Sequence, residues 1–344
     1  MKMIKIAFDV MGSDKGSKFA LEAGLKFLSA HDDLELVFYG NETEIKAHLF
    51  ALKKYKVDPV RYSIVPTSEV IDVHGSILDV RRKKDASIVR ALEAVKNNSV
   101  DAMLTGGPSA AFIAGAQIII GNLPGVKRSG FMPTIPSNVD NRVLLLLDAG
   151  ANLENSPEEL LQYAQMATVY SHSVNKIEKP LVGLMNIGEE EGKGKELQKE
   201  AYKLLAADKK VNFYGNLEPR ELLTGKVDVL VTDGFSGNIA LKTAEGAAKS
   251  IFREVKNQAK KSIFRKMALV GMIPTFKAIA KKFDYKNHAG AILLGINGIV
   301  FKSHGSSDVR SFEATLRMTY QAVKNQVLVN LVEGMDNPNH GQEN

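Results

Sequence analysis

Residues 227–242 read VDVLVTDGFSGNIALK, and behind a short apolar run they gather a carboxylate, a hydroxyl, an amide, two glycines and a lysine. A plain turn from strand to helix needs one glycine and one capping side chain. Capping by Ser236 or Asn238, with Gly234 and Gly237 making the turn, accounts for one polar residue. It leaves Asp233, Asn238 and Lys242 together unexplained, and these types suit the binding of an anion or a developing oxyanion. A second stretch, Asn186 to Gly194, hangs Lys193 and Lys195 beside flexible glycines, where they can meet an anionic substrate or simply cap the next helix behind an acidic, solvated loop. Its resemblance to a nucleotide P-loop fails, because the spacing is one residue short and Gly194 stands where a Ser or Thr must hold magnesium. His304 precedes Gly305-Ser306-Ser307-Asp308, a capping cluster in which a histidine serves equally as hydrogen-bonder or as acid or base. Asp9 with Gly12, and Thr105 with Gly106, close two more glycine turns. The basic run Arg81-Arg82-Lys83-Lys84 reads by default as a solvated face, but it precedes a helix leading to the Thr105 turn, which fits a carrier or phosphate role for Lys84. His74, in Asp72-Val73-His74-Gly75, is a weaker candidate.

Absent residue types narrow the chemistry. The chain has no cysteine, which excludes disulfides, thiolate metal sites and a cysteine nucleophile. No His/Asp/Glu cluster has metal-ligand spacing, no G-x-S-x-G elbow occurs, and no G-x-G-x-x-G follows a strand. Neither a metal nor a nucleotide cofactor is therefore expected.

The elements that must position these turns follow from periodicity. Short apolar runs at 4–9, 34–39, 61–66, 101–105, 142–148, 180–185, 211–214, 227–232 and 297–303 alternate with segments of helical period such as 17–29, 86–97, 155–174 and 195–206. This alternation predicts an α/β fold, an αβα sandwich around a mostly parallel sheet. Consecutive Val, Ile and Leu fit strands covered on both faces. In open sheets of this kind ligands sit beyond the carboxyl ends of the strands, so the polar turns are expected to converge on one rim as an anion site. One domain over 1–335 and a disordered tail over 336–344 are expected.

The 344 residues carry a net charge of +6, unevenly spread. Residues 249–286 hold eleven Lys/Arg against Glu254 and Asp284, so the remainder is slightly acidic. That balance does not point to nucleic acid; it calls for a separate account of a helical basic arm over 250–286. In the arm, Ile263, Phe264, Met267, Leu269, Val270, Met272 and Ile273, then Phe276, Ile279 and Phe283, form apolar stripes beside lysines and arginines. Two short amphipathic helices joined by Gly271-Met-Ile-Pro274 suit a membrane interface over 262–283, or a dimer arm packed on its twin. With no leader-like segment and no run approaching the ~18 apolar residues of a span, a cytoplasmic protein in peripheral contact with membrane is expected.

Four stretches also resemble one family: RRKKDAS at 81–87, LVGLMNIGEEE at 181–191, GKVDVLVTDGFSGNIALK at 225–242 and HGSSD at 304–308 look like the bacterial PlsX-type phosphate acyltransferases. The similarity spans roughly residues 4–330. Two turns depart from the family pattern: Met11-Gly12-Ser13-Asp14 replaces Met-Gly-Gly-Asp, and Leu104-Thr105-Gly106-Gly107-Pro108-Ser109-Ala110 replaces Ala-Gly-Asn-Thr-Gly-Ala. The resemblance implies an isopropylmalate-dehydrogenase-like fold and a homodimer. It implies transfer of a fatty acyl group from acyl carrier protein to inorganic phosphate, with the acyl phosphate passing to a membrane glycerol-3-phosphate acyltransferase. The residue types fit, since phosphate is already a nucleophile and the enzyme must only place it and stabilise an oxyanion. Lys193 and Asn238 are the candidates for the oxyanion, Asp233 for orienting them, and Lys242 for neutralising phosphate. Asp9, Gly12, Lys84, Thr105, Gly106, Asn186, Ser236, Gly237 and His304 are the candidates for substrate binding. A short-chain phosphotransacetylase, or a non-catalytic membrane scaffold, is the alternative.

Overall fold

The structure, a computed structural model, describes residues 3–72, 77–140, 142–282 and 290–336. His74 and Phe283 therefore lie outside the described residues, as does the tail from 337 onward. The strands are β1 (Ile4–Asp9), β2 (Leu34–Gly40), β3 (Tyr62–Pro66), β4 (Ala102–Thr105), β5 (Gly130–Pro136), β6 (Val143–Leu147), β7 (Leu181–Met185), β8 (Asn212–Leu217), β9 (Val229–Val231), β10 (Gly290–Leu294) and β11 (Ile299–Ser303). The α-helices are α1 (Ser17–Leu28), α2 (Glu42–Ala51), α3 (Asp79–Arg82), α4 (Ser87–Lys96), α5 (Ser109–Gly115), α6 (Pro157–Tyr170), α7 (Glu196–Ala207), α8 (Gly234–Lys260), α9 (Ile263–Gly271), α10 (Ile273–Lys282), α11 (Val309–Lys324) and α12 (Val327–Asp336).

All these strands join one sheet, in the order β3-β2-β1-β4-β11-β10-β5-β6-β9-β7-β8. The nine apolar runs each hold a strand, and the sheet is mostly parallel, as the alternation requires. Two strands escape a reading by periodicity. β5 contains Pro133 and Pro136, which argue against a central strand because proline cannot donate to a ladder. β10 is a five-residue apolar run close after the basic arm. These two strands decide the geometry, because β10 pairs antiparallel with both β11 and β5, and β5 pairs antiparallel with β6. The block β3-β2-β1-β4-β11 and the block β6-β9-β7-β8 are each internally parallel. Three antiparallel steps separate them, so the blocks run in opposite directions. The single rim is thereby corrected: the turns after β1, β4 and β11 lie at one edge of the sheet, and those after β6, β7 and β9 at the other.

One face of the sheet carries a continuous core that joins Phe8, Leu21 and Phe312 of the first block to Leu147, Tyr163 and Val231 of the second. The other face carries two cores. One, under α4 and α5, holds Ala7, Met103, Val300 and Leu92; the other, under α8, holds Leu144, Leu146, Met185 and Leu230. Phe131 of β5 packs against both. The helix starts follow local chemistry: at α6, Glu159 N donates to Ser156 Oγ (3.3 Å) and Ser156 N to Glu159 Oε2 (3.1 Å), with Pro157 at the first helical position.

The arm is more extended than its sequence suggests. α8 runs unbroken to Lys260, and α9 and α10 meet at Met272. Phe264 is 80% exposed and Met267 66%, with Ile263, Val270, Met272, Ile273 and Ile279 also open to solvent. No helix among the described residues is long and apolar enough to cross a membrane.

Candidate active site

At the edge where β6, β7 and β9 end, a buried carboxylate organises the chain. Asp148 accepts five hydrogen bonds: from the backbone N–H of Phe131 (2.9 Å), Gly150 (3.0 Å), Ala151 (2.9 Å) and Asn152 (2.8 Å), and from Asn152 Nδ2 (2.9 Å). Burial raises its pKa above the ordinary carboxylate value, and these donors oppose the rise. Asn152 Nδ2 also reaches Ser129 O (2.7 Å) and Tyr163 Oη (2.8 Å), so the turn is pinned to β5 and α6. The first turn of α8 lies directly on it. A Cβ at Gly234 would collide with Asn152 O, and one at Gly237 with Asp148 O. Two glycines are present because two backbones touch at two points, one helical turn apart.

Asp233 rather than Ser236 or Asn238 caps α8, its Oδ1 accepting from Ser236 N (2.8 Å). Among the described residues its carboxylate makes no bond to Asn238 or Lys193, so it acts on Asn238 only through the position of the helix. The Asn238 side chain lies over Gly150, within 3.4–3.6 Å of where a Cβ would sit. It makes no hydrogen bond to any described residue, which leaves its amide donors for a ligand. Asn186 follows β7 at the level of Asp233 on neighbouring β9, because Leu184 pairs with Val231. Its Nδ2 donates to Lys193 O (3.0 Å), tying Lys193 to the strand end. The Lys193 side chain is exposed, folds over Gly188 and has no ion-pair partner among the described residues. Lys242 is exposed one turn beyond Asn238.

The opposite edge holds the remaining candidates. Asp9, Thr105 and Lys302 sit at one level on β1, β4 and β11, where the register pairs Asp9 with Thr105 and Thr105 with Lys302. Thr105 Oγ1 donates to Asp9 Oδ2 (2.7 Å) and accepts from Gly107 N (2.8 Å). Burial raises Asp9 to about 6 against its bonds from Thr105, Ser87 and Met11 N, and burial lowers Lys302 to about 8 against the pull of Asp14 and Asp9. The turns pack tightly: a Cβ at Gly12 would lie 3.3 Å from Gly107 Cα, and one at Gly106 would lie 3.2 Å from Ser13 Cβ. Asp14 N donates to Gly305 O (3.0 Å). Ser306 N donates to His304 Nδ1 (3.1 Å), which places the proton of the neutral ring on Nε2. Desolvation first, then the charge of Lys302, lowers the His304 pKa, with Glu245 and Lys249 of α8 also within electrostatic reach. The basic run borders this edge, because Lys83 Nζ donates to Val70 O (2.9 Å) and Val70 packs by Gly12. Lys84 is exposed.

The candidates thus form two groups. Lys193, Asn186, Asp233, Ser236, Gly237, Asn238 and Lys242 share one edge; Asp9, Gly12, Thr105, Gly106 and His304 share the other, with Lys84 beside them. α8 starts in the first group and returns along the sheet toward His304. The sequence marks the Asp148–Asn152 turn as one of the polar, glycine-rich turns without giving either residue a role, and Lys302 was missed. The signal for Lys302 was present, since a lysine inside a strand covered on both faces must be buried.

The family model described as "Fatty acid synthesis protein" matches residues 4–330. The chain is 56% identical over 326 residues to the phosphate acyltransferase of Mesoplasma florum, covering 95% of this chain and 98% of that one. Among solved structures, a phosphotransacetylase from Streptococcus pyogenes superposes with a TM-score of 0.58 at 19% identity, covering 97% and 94%. Isocitrate dehydrogenase from Methylococcus capsulatus superposes with a TM-score of 0.50 at 10% identity, covering 97% and 88%. The fold is therefore similar to that of this phosphotransacetylase and this isocitrate dehydrogenase.

Two outcomes test the site's construction. Gly237→Ala should cost about 1–3 kcal/mol of stability in chemical denaturation, because a methyl group is forced against backbone. Asp9 carries a folded-state pKa raised from 3.8 to about 6, so its protonated form is favoured by folding. Its contribution to stability is complete below pH 4 and lost as pH rises through 6. Asp9→Asn should remove that loss from a plot of Tm against pH; an unchanged profile would place the Asp9 carboxylate in solvent.

Proposed function

The chain belongs to the fatty acid synthesis protein family, the phosphate acyltransferases, and on that footing we propose that it transfers a fatty acyl group from acyl carrier protein to inorganic phosphate. The observation that carries this reading is the 56% identity with a phosphate acyltransferase over nearly the whole of both chains. The reaction needs no acyl-enzyme. Phosphate attacks the thioester carbonyl, the tetrahedral oxyanion collapses, the C–S bond breaks, and the proton carried by phosphate ends on the departing thiol. The enzyme's work is to align the two reactants and to hold the oxyanion with preorganised donors.

Asn238 and Lys193 suit the oxyanion. The amide of Asn238 is unused, it stands just past the first turn of a long helix whose N-terminus favours negative charge, and the Asp148 turn fixes it from below. Lys193 brings an unpaired cation from the neighbouring strand end. Lys242 adds positive charge for phosphate, and the exposed Ile187, Phe235 and Ile239 offer an apolar surface for a fatty chain. Arg81, Arg82 and Lys84 give an acidic carrier protein a basic landing surface. The arm supports two further parts of the reading, a homodimer and a peripheral membrane contact through 262–283. Its exposed apolar stripes among lysines are suited to an anionic bilayer. Contact there would hand a labile, amphiphilic acyl phosphate to a membrane glycerol-3-phosphate acyltransferase.

Lys193→Ala and Asn238→Ala should each lower turnover by ~10²–10³ with Tm unchanged; near-normal turnover in both variants moves the reaction elsewhere. For the arm, co-sedimentation with anionic vesicles should be lost in Met272→Glu/Ile273→Glu and weakened by salt in the parent. Equal binding by the double variant at low salt would leave the tip with no lipid role.

A further inference from the structure

Lys302, within β11, is a buried lysine, 6% exposed. Its ammonium has three donors and makes one hydrogen bond, to Ser303 O at 2.8 Å. No carboxylate among the described residues lies within ion-pair distance, although Asp9 and Asp14 act on it from farther away. A buried ammonium in this condition is costly, because buried charges are normally paired and their donors filled. The strands register Asp9, Thr105 and Lys302 at one level, and in the turns that follow Asp9 and Thr105 the backbone N–H groups of Gly12, Ser13 and Gly106 donate to no described residue while the turns touch one another. The mechanism at the opposite edge uses none of these groups.

We propose that Lys302, with the turns at Gly12–Ser13 and Gly106, forms a second anion subsite that receives a phosphoryl group of a substrate. The inference rests on the acyl-transfer reading for its candidate ligands, which are inorganic phosphate and the phosphodiester of a carrier protein's prosthetic arm. Position favours the arm. The subsite lies beside the basic residues 81–84, where an acidic carrier would dock. α8 runs from it toward Asn238, and the seven residues from Glu245 back to Asn238 alone cover about 10 Å of helix. A long, flexible arm anchored at one edge could thus lay its thioester at the other.

The test is titration calorimetry on the full chain with three probes: inorganic phosphate, phosphopantetheine, and pantetheine, which lacks the phosphoryl group. Lys302→Met should weaken phosphopantetheine about tenfold or more, as loss of a charge-assisted bond does, while leaving any pantetheine binding as it was. The same loss for inorganic phosphate alone would assign the subsite to the nucleophile. In the parent, binding should fall as pH rises through about 8, where Lys302 loses its proton. Lys302→Arg should keep binding above that pH, because arginine stays charged. The charged and titrating groups that face Lys302 are Asp9 from β1, Asp14 from the following turn and His304, with Glu245 and Lys249 of α8 beyond it. If the Met variant fails to fold, the pH profiles of the parent and Lys302→Arg still decide. Unchanged binding of both phosphoryl probes, or identical pH profiles for parent and Arg variant, overturns the proposal. Acyl phosphate formation by the parent, assayed alongside, separates this outcome from failure of the functional reading, since the binding arms need no turnover.

Discussion

The buried carboxylate of Asp148 is the point on which the second half of the molecule turns. Five donors converge on it, four from backbone and one from the Asn152 side chain, and that convergence folds residues 148–152, just after β6, into a tight knot tied to the start of β5. The knot in turn selects its neighbour. Only a helix with glycine at its first and fourth positions can lie against it, since any Cβ at Gly234 or Gly237 meets a carbonyl oxygen. The direction of α8, the place of Asn238 above Gly150, and the path of the arm some 20 residues later all descend from that contact.

A second constraint is the reversal of the sheet. β10 and β5 enter antiparallel between two parallel blocks, and the strand ends that carry chemistry are sent to opposite edges. The face beneath α4, α5 and α8 is then divided into two cores that meet at Phe131. A helix that leaves β9 and packs back over its own sheet must travel from one edge toward the other. α8 does so, and its Glu245 and Lys249 come within electrostatic reach of His304. The two groups of polar residues are thereby parts of one surface joined by a single helix.

The electrostatics of the two edges differ in kind. Around Asp148 a negative charge is buried and saturated with donors, which makes a rigid support. Around Lys302 a positive charge is buried with one of its three donors filled by the protein. Asn238 and Lys193 lie between these extremes, polar side chains open to solvent that make no side-chain hydrogen bond or ion pair among the described residues.

The sequence by itself determined the layers and the chemistry available. Nine apolar runs at the right spacing specified strands, most of them covered on both faces although the edge strands β3 and β8 are partly exposed, and the absence of cysteine excluded a thiol nucleophile. The Gly-Phe-Ser-Gly-Asn turn announced that something other than capping was needed at the start of α8, and the basic amphipathic stripes announced the arm. These are local signals, written in composition and in periods of two and 3.6. Only the tertiary structure decided which turns share an edge, because that depends on the direction of β5 and β10, and β5 hides its strand behind two prolines. Only it showed that Asp233 caps while Asn238 is left free, since both residue types can do either. Only it revealed Asp148 and Lys302 as buried charges. Burial is a property of what packs around a residue from distant parts of the chain, and no window of neighbouring residues contains it.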